Sequence, residues 1–260
     1  MGKVVKKVSN GLTAERRNKL AQMLVFEGSV KVGELAEMFH VSTETIRKDL
    51  IYLESQGVAR KSHGGAIAAS ELLERPLSEK FMEHMDLKSK VAKAALDYIE
   101  DNSVILLDSG STTFQLAKLL ALKKGITVIT NSANLPPLLS GTENTVLSLG
   151  GEMRGSSMAL VGLWTMNAIN TVRVDVAILG SDGFSWRKGP CTPSYAEAEV
   201  KKAMMEHSKK TVVLSDSSKF QKSAIMEFCE WKDVDLLITD DGAPEDQVRE
   251  IRKSTEVKVV

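Results

Sequence analysis

Two cysteines, Cys191 and Cys229, are all that this chain of 260 residues contains. They lack metal-ligand spacing, and a disulfide is not required to stabilise a chain of this size. No run approaches the ~20 apolar residues of a membrane span. The opening stretch MGKVVKKVSNG is basic but has no hydrophobic signal core, so a soluble cytoplasmic protein is expected. Its lysines read as a solvated end in preference to an arm onto DNA. There is no G-x-G-x-x-G after the first strand of the body, which argues against a dinucleotide. No metal or cofactor is expected. Net charge is also absent, but only as a sum: residues 1–67 carry 11 Lys and Arg against 7 acidic residues, and 68–260 carry 23 against 27. A basic front suits a polyanion partner, and an acidic remainder would avoid it.

What is present begins at KVGELAEMFHVSTETIRKDLIYLESQGVARKSHGGAI, residues 31–67. Val32, Leu35, Ala36 and Phe39 recur at i, i+3, i+4 and i+7, one apolar helical face. His40 and Val41 break it. Ser42 is placed to cap the next helix, where Ile46, Leu50 and Leu53 restore the stripe. An earlier helix over roughly 14–26 adds Leu20, Met23, Leu24 and the stem of Arg16. Gly57 is placed to end the capped helix, and VARKSHGGAI reads as a small hairpin. This is the layout of a winged helix-turn-helix, in which one helix enters the major groove.

The capped helix shows Thr43, Thr45, Arg47, Lys48 and Tyr52 on its open face. The threonines lie in the turn that reaches base edges. Arg47 and Lys48 can neutralise phosphates, and Arg47 can instead fork onto a guanine. With Ser42, and with Arg60, Lys61 and His63 on the wing, they are the candidate DNA-binding residues. A solvated amphipathic helix is the plain alternative. It is weakened by the coincidence of turn, cap, acid-poor face and basic wing.

Residues 88–260 alternate apolar strands with helices, which predicts an α/β body with a mainly parallel sheet covered on both faces. The expected strands are 104–107, 126–129, 146–149, 174–179, 211–214, 236–239 and 257–260. Ligands sit beyond the carboxyl ends of such strands. The loops there carry Asp108, Ser109, Gly110, Ser111, Thr112 and Thr113; Asn131 and Ser132; Gly151, with Arg154 nearby; Asp182; and Lys219. Hydroxyls, backbone amides, one Arg and one Lys suit a small anionic polyol. Asp108 and Asp182 read equally as hydroxyl acceptors and as loop braces. The boundaries expected are 1–67 for the DNA-binding domain, 68–87 for a partly helical linker and 88–260 for the effector domain.

The head closely resembles the DeoR family of bacterial transcription regulators. The match runs through Glu15-Arg16-Arg17, Glu34-Leu35-Ala36, Val41-Ser42, Thr45-Ile46-Arg47-Lys48-Asp49-Leu50, Leu53-Glu54, Gly57 and His63-Gly64-Gly65-Ala66. Lys48 replaces the family's arginine, which keeps the charge but not the bidentate fork. The body is similar to the family's effector domain, itself like ribose-5-phosphate isomerase, through DSGSTT at 108–113, TNS at 130–132, LGG at 149–151, GSDG at 180–183 and DSSKF at 216–220. The resemblance covers roughly 13–260. It implies a regulator, by the family's usual sign a repressor, of a sugar or polyol catabolic operon. Its partners would be operator DNA and a phosphorylated sugar or polyol, in a homodimer or homotetramer and without a membrane. It places the phosphate near Ser111, Thr112 and Thr113, with Asp182 and Lys219 at the site.

The enzymes of that fold use a carboxylate base and a lysine. Gly183 stands at the place of their acidic residue, and RKGPCTPSY does not look like their glycine run. Glu197 and Glu199 share a helix with Lys201 and Lys202, where pairing on a solvated face is expected. Binding without turnover is therefore the expectation. The alternatives are a sugar-phosphate isomerase carrying a DNA-binding head, and a helix-turn-helix used for protein contacts beside a nucleotide-binding body.

Overall fold

The computed structural model describes residues 13, 16–17, 19–21, 23–24, 29–55, 58–62, 64–68, 75–185 and 187–260. The chain divides into two compact units, 1–73 and 74–260.

In the first unit the described residues between 13 and 24 are helical. They are followed by β1 (Ser29–Lys31), α1 (Val32–Met38), α2 (Thr43–Ser55), β2 (Ala59–Ser62) and β3 (Gly65–Ala68). The predicted stripes are the core: Leu20, Leu24, Leu35, Ile46, Leu50 and Leu53 are buried together with Val30, Ala59 and Ala66. The strands form an antiparallel sheet in the order β1-β3-β2. Strand β1 was not expected, because three residues with a single buried Val30 carry no readable period. The Gly-Gly pair has two separate reasons. Gly64 takes φ +78, a left-handed turn conformation. A Cβ on Gly65 would lie 1.9 Å from the Val30 carbonyl oxygen, so only glycine lets β3 approach β1.

The second unit runs α3 (Leu77–Met82), α4 (Met85–Ala95), β4 (Val104–Leu107), α5 (Ser111–Leu119), β5 (Thr127–Thr130), α6 (Leu135–Leu139), β6 (Thr145–Ser148), β7 (Glu152–Arg154), β8 (Ala159–Val161), α7 (Leu163–Asn170), β9 (Val176–Gly180), β10 (Cys191–Thr192), α8 (Tyr195–Glu206), β11 (Thr211–Leu214), β12 (Met226–Glu227), β13 (Leu236–Thr239), α9 (Glu245–Ile251) and β14 (Glu256–Val259). Seven strands make one sheet in the order β14-β13-β11-β9-β4-β5-β6, every pairing parallel. Alternate strand residues feed opposite faces. Ile105, Leu107, Ile178 and Val212 pack with Val91, Ala95 and Leu116 of α4 and α5. Leu106, Ala177, Leu179 and Val213 pack with Ile169, Val200, Met204 and Val248 of α7, α8 and α9. The result is three layers, helix on sheet on helix.

From β4 the chain builds outward through β5 and β6. It then returns to place β9 on the other side of β4. The carboxyl ends of β4 and β9 therefore flank the point where strand order reverses, the usual crevice for a ligand in such sheets. The hairpin β7–β8 and helix α7 were not expected. Their apolar residues include Met153, Leu163 and Trp164, all exposed, so they show no one-sided pattern.

Candidate functional site

The head leaves most of the predicted DNA-binding side chains open to solvent. The Ser42 hydroxyl accepts the Thr45 N–H at 3.1 Å, capping α2 as the sequence predicts. Ser42, Thr43, Arg47, Lys48, Arg60 and Lys61 are exposed or partly so, and Thr45 is half-buried. Arg47 meets Glu44 at 3.6 Å, with both side chains open to solvent. Such a contact is worth little and is readily exchanged for a phosphate. Glu54 accepts the Lys61 N–H at 2.9 Å, tying the wing to α2. His63 and Gly57 lie outside the described residues. Arg16 and Arg17 act within the fold instead. Their Nε atoms hold the two oxygens of buried Asp49 at 2.6 and 2.8 Å. The Arg17 guanidinium also lies 3.9 Å from the centre of the Tyr52 ring.

In the body a small pocket of about 40 Å³ opens at the strand-order reversal. Ser109, Gly110, Ser111 and Thr112 form one side, at the N-terminus of α5, where unpaired amides favour an anion. Asp182 and Lys219 face it, with Lys80, Ser157, Glu197 and Lys201 completing the wall. Among the described residues no hydrogen bond or ion pair engages the Lys219 ammonium. Burial pulls its pKa down, against the pull of Asp216 and Asp182. Burial alone would raise Asp182, but Lys80, with help from Lys219 and Lys201, outweighs it and holds the carboxyl below its usual range. Asp182 is thus an anion already engaged by the Lys80 ammonium.

Six of the twelve predicted effector residues line this pocket: Ser109, Gly110, Ser111, Thr112, Asp182 and Lys219. The other six are close in sequence but differently employed. Asp108 is fully buried, where it accepts the Gly180 N–H at 3.0 Å and pairs with Lys201. Burial pushes its pKa upward against that lysine. Thr113 donates its hydroxyl to the Gly110 carbonyl at 3.1 Å. Asn131 accepts the Ser109 N–H at 3.0 Å, shaping the loop from behind. Ser132 is buried, with its hydroxyl accepting the Asn134 N–H at 3.4 Å. Gly151 takes φ +141, and a Cβ there would lie 2.1 Å from the Thr165 hydroxyl. Arg154 pairs with Glu197.

One expectation holds for half of its residues: Glu199 and Lys202 pair at 3.0 Å on a partly exposed face. Glu197 and Lys201 do not pair on a solvated face; both are buried on α8 and serve the pocket. Glu197 gathers Arg154, the Ser157 hydroxyl and, at 3.0 Å, the Thr192 hydroxyl. Lys201 joins Asp108 to the Gly180 carbonyl, at 3.1 Å from the latter. Alternating charges four apart look the same in sequence whether or not tertiary packing covers them. Gly183, at the place of the isomerases' acidic residue, takes φ +154, and a Cβ would lie 2.3 Å from the Lys222 carbonyl oxygen. No carboxylate side chain fits there. Among the described residues no cluster of His, Cys, Asp and Glu could hold a metal, and no helix is long and apolar enough to cross a membrane.

Two family models match the chain: a DeoR-like helix-turn-helix domain over residues 16–71 and a DeoR C terminal sensor domain over 83–241. The repressor proposed for the aga operon of Escherichia coli O157:H7 is 33% identical, with 93% of this chain and 91% of the relative covered. The transcriptional repressor AccR of Agrobacterium fabrum is 30% identical over 88% and 90%. The uncharacterised HTH-type regulator YulB of Bacillus subtilis is 34% identical over 89% and 90%. These relatives are named as regulators and not as enzymes, which sets the isomerase alternative aside. Among solved structures, ribose 5-phosphate isomerase of Methanocaldococcus jannaschii is similar at TM-score 0.39 and 22% identity, over 55% of this chain and 56% of that one. That likeness is too distant to carry any chemistry across.

Proposed function

The chain belongs to the DeoR family of helix-turn-helix transcription regulators, and we propose that it represses a sugar or polyol catabolic operon under the control of a phosphorylated effector. The head reads the operator through Ser42, Thr43, Thr45, Arg47 and Lys48, with Arg60, Lys61 and His63 along the backbone. Its exposed, acid-poor face supports this reading. In the body the effector's phosphate sits between the α5 N-terminus and Lys219, and Asp182 accepts the sugar hydroxyls. The observation that carries this reading is Lys219. It is a largely desolvated ammonium with no hydrogen-bonding partner among the described residues, facing a ring of hydroxyls and helix amides. An anion is what such a cation lacks.

Names of relatives that mention an aga operon repressor, and regulators called GlpR, IolR and FruR, agree with carbohydrate control. Operator sensing is assigned to the unit ending at residue 73, and effector sensing to the unit from 74 onward. A homodimer or homotetramer on paired half-sites, in the cytoplasm, completes the proposal.

The test is fluorescence anisotropy on DNA from upstream of its own gene cluster, across a salt series, with and without a panel of pentose, hexose and polyol phosphates. Tight binding that weakens steeply with salt, and that one phosphate ester shifts, is the expected result. Lys219→Met should leave DNA binding in place and abolish that shift. A variant that responds to the ester like the wild type removes Lys219 from the site.

A further inference from the structure

The effector pocket is nearly shut. Its volume of about 40 Å³ compares with about 300–1,000 Å³ for ordinary small-molecule sites. Room for a sugar phosphate must come from a wall that moves. Most of the wall belongs to strand ends and to α5 and α8, which are built into the two cores. Leu77 and Lys80 belong instead to α3, a six-residue helix that buries only Leu77. Met82, at its end, is 78% exposed.

The ties of α3 to the rest of the unit are single contacts to three separate elements. The Leu77 N–H donates to the Ser156 carbonyl at 2.7 Å. The Lys80 ammonium engages Asp182, and the Phe81 ring lies 4.7 Å from that of Phe114 on α5. Arg75, just before the helix, clasps Glu83, just after it, through bonds of 2.7 and 2.6 Å. This clasp braces α3 as a unit. His84, at φ +50, makes the corner into α4, and buried Lys88 donates to the Lys80 and Glu83 carbonyls. None of its residues belongs to either core, so a short helix on a cornered attachment can swing by giving up these few contacts.

We propose that α3 is a displaceable wall of the effector pocket, and that Lys80, by occupying Asp182, gates the entry of a phosphorylated sugar or polyol. The proposal rests on the effector reading above. The entering ligand needs both the oxygens of Asp182 and the space that Lys80 fills, so it must break the pair. Its apparent affinity is then lowered by the fraction of time the wall is open. The unit begins at Glu74 and α3 at Leu77. The gate therefore lies on the stretch of chain that joins sensor to head, where an opened wall can be felt.

The experiment uses the full chain, as wild type, Lys80→Met and Phe81→Ala. The second variant loosens α3 without changing charge at the pocket. Hydrogen exchange over residues 77–88 is measured without ligand. Binding of inorganic phosphate, ribose 5-phosphate, glucose 6-phosphate and glycerol 3-phosphate is then measured by calorimetry. Exchange in both variants is expected to be about tenfold faster, and the ester that binds the wild type should bind both variants about three- to tenfold more tightly. Unchanged exchange in both variants overturns the gate. So does an affinity that rises for Phe81→Ala and falls for Lys80→Met, because Lys80 would then be a ligand contact and not a plug. Faster exchange with no phosphate ester bound by any of the three proteins keeps the gate and overturns the effector reading.

Discussion

Asp49 sits on the helix meant for DNA, yet it is buried and held by Arg16 and Arg17 from the helical residues at the start of the unit. This explains why Arg16 and Arg17 accompany the Thr45–Leu50 run: they brace α2 against the rest of the head. Asp49→Ala leaves two guanidiniums without their carboxylate, which should cost the head about 3 kcal/mol. All three tryptophans, Trp164, Trp186 and Trp231, lie in the body. Circular dichroism should therefore show an earlier head transition while the tryptophan unfolding curve stays put. Lys88 makes a second single-residue case. Burial pulls its pKa down to about 8 from an ordinary 10.5, so between those values the folded chain binds fewer protons than the unfolded one. Stability must then rise with pH through that window, by up to about 3 kcal/mol. Lys88→Met should lack that rise, as urea unfolding at several pH values from about 7.5 to about 10.5 would show. Neither role was legible beforehand: Asp49 read as part of a matched signature, and Lys88 only as the first residue of the expected effector domain. Sequence gives the charge of a side chain, whereas burial is decided by residues far along the chain.

Elements were legible in proportion to their own periodicity. The stripes at Val32–Phe39 and Ile46–Leu53 predicted α1 and α2, and apolar runs predicted all seven strands of the large sheet to within two residues. The wing was read from Gly64-Gly65, but the reason lies in β1, which the sequence did not reveal. Gly65→Ala forces a Cβ into the Val30 carbonyl oxygen at 1.9 Å. Strand β3, central in the sheet, must move away from β1, and its partner β2, which carries Arg60 and Lys61, must move with it. Operator affinity should fall at least about tenfold, a cost of about 1.4 kcal/mol, while calorimetric binding of the effector stays unchanged. Equal affinity in filter binding would mean that the wing makes no contact. In the body, five loops were singled out as one cluster, and of these the loops after β4, β9 and β11 line one pocket. The contributions of α8 and α3 were missed, because their charged residues repeat at helical spacing and mimic a solvated surface. Only the fold turns Glu197 and Lys201 inward.

At the scale of the whole molecule the charge divides as the function requires, with an excess of four positive charges in residues 1–67 and of four negative in 68–260. The basic part is drawn to DNA and the acidic part is kept off it. Two sites on two units make a switch only if each ligand distinguishes the same pair of states. Thermodynamic linkage then fixes a symmetry: if the effector weakens operator binding by some factor, operator DNA must weaken effector binding by that same factor, about 5- to 150-fold for typical couplings. The check is to titrate the phosphate ester into the free protein and into the saturated operator complex, and to compare the ratio of dissociation constants with the ratio from anisotropy. Equal ratios mean that the pocket and the reading helix are coupled through one shared equilibrium. An effector affinity indifferent to DNA, beside an operator affinity that the ester does shift, cannot hold for a single closed cycle. It would point to the ester acting at a second site or on the association of subunits.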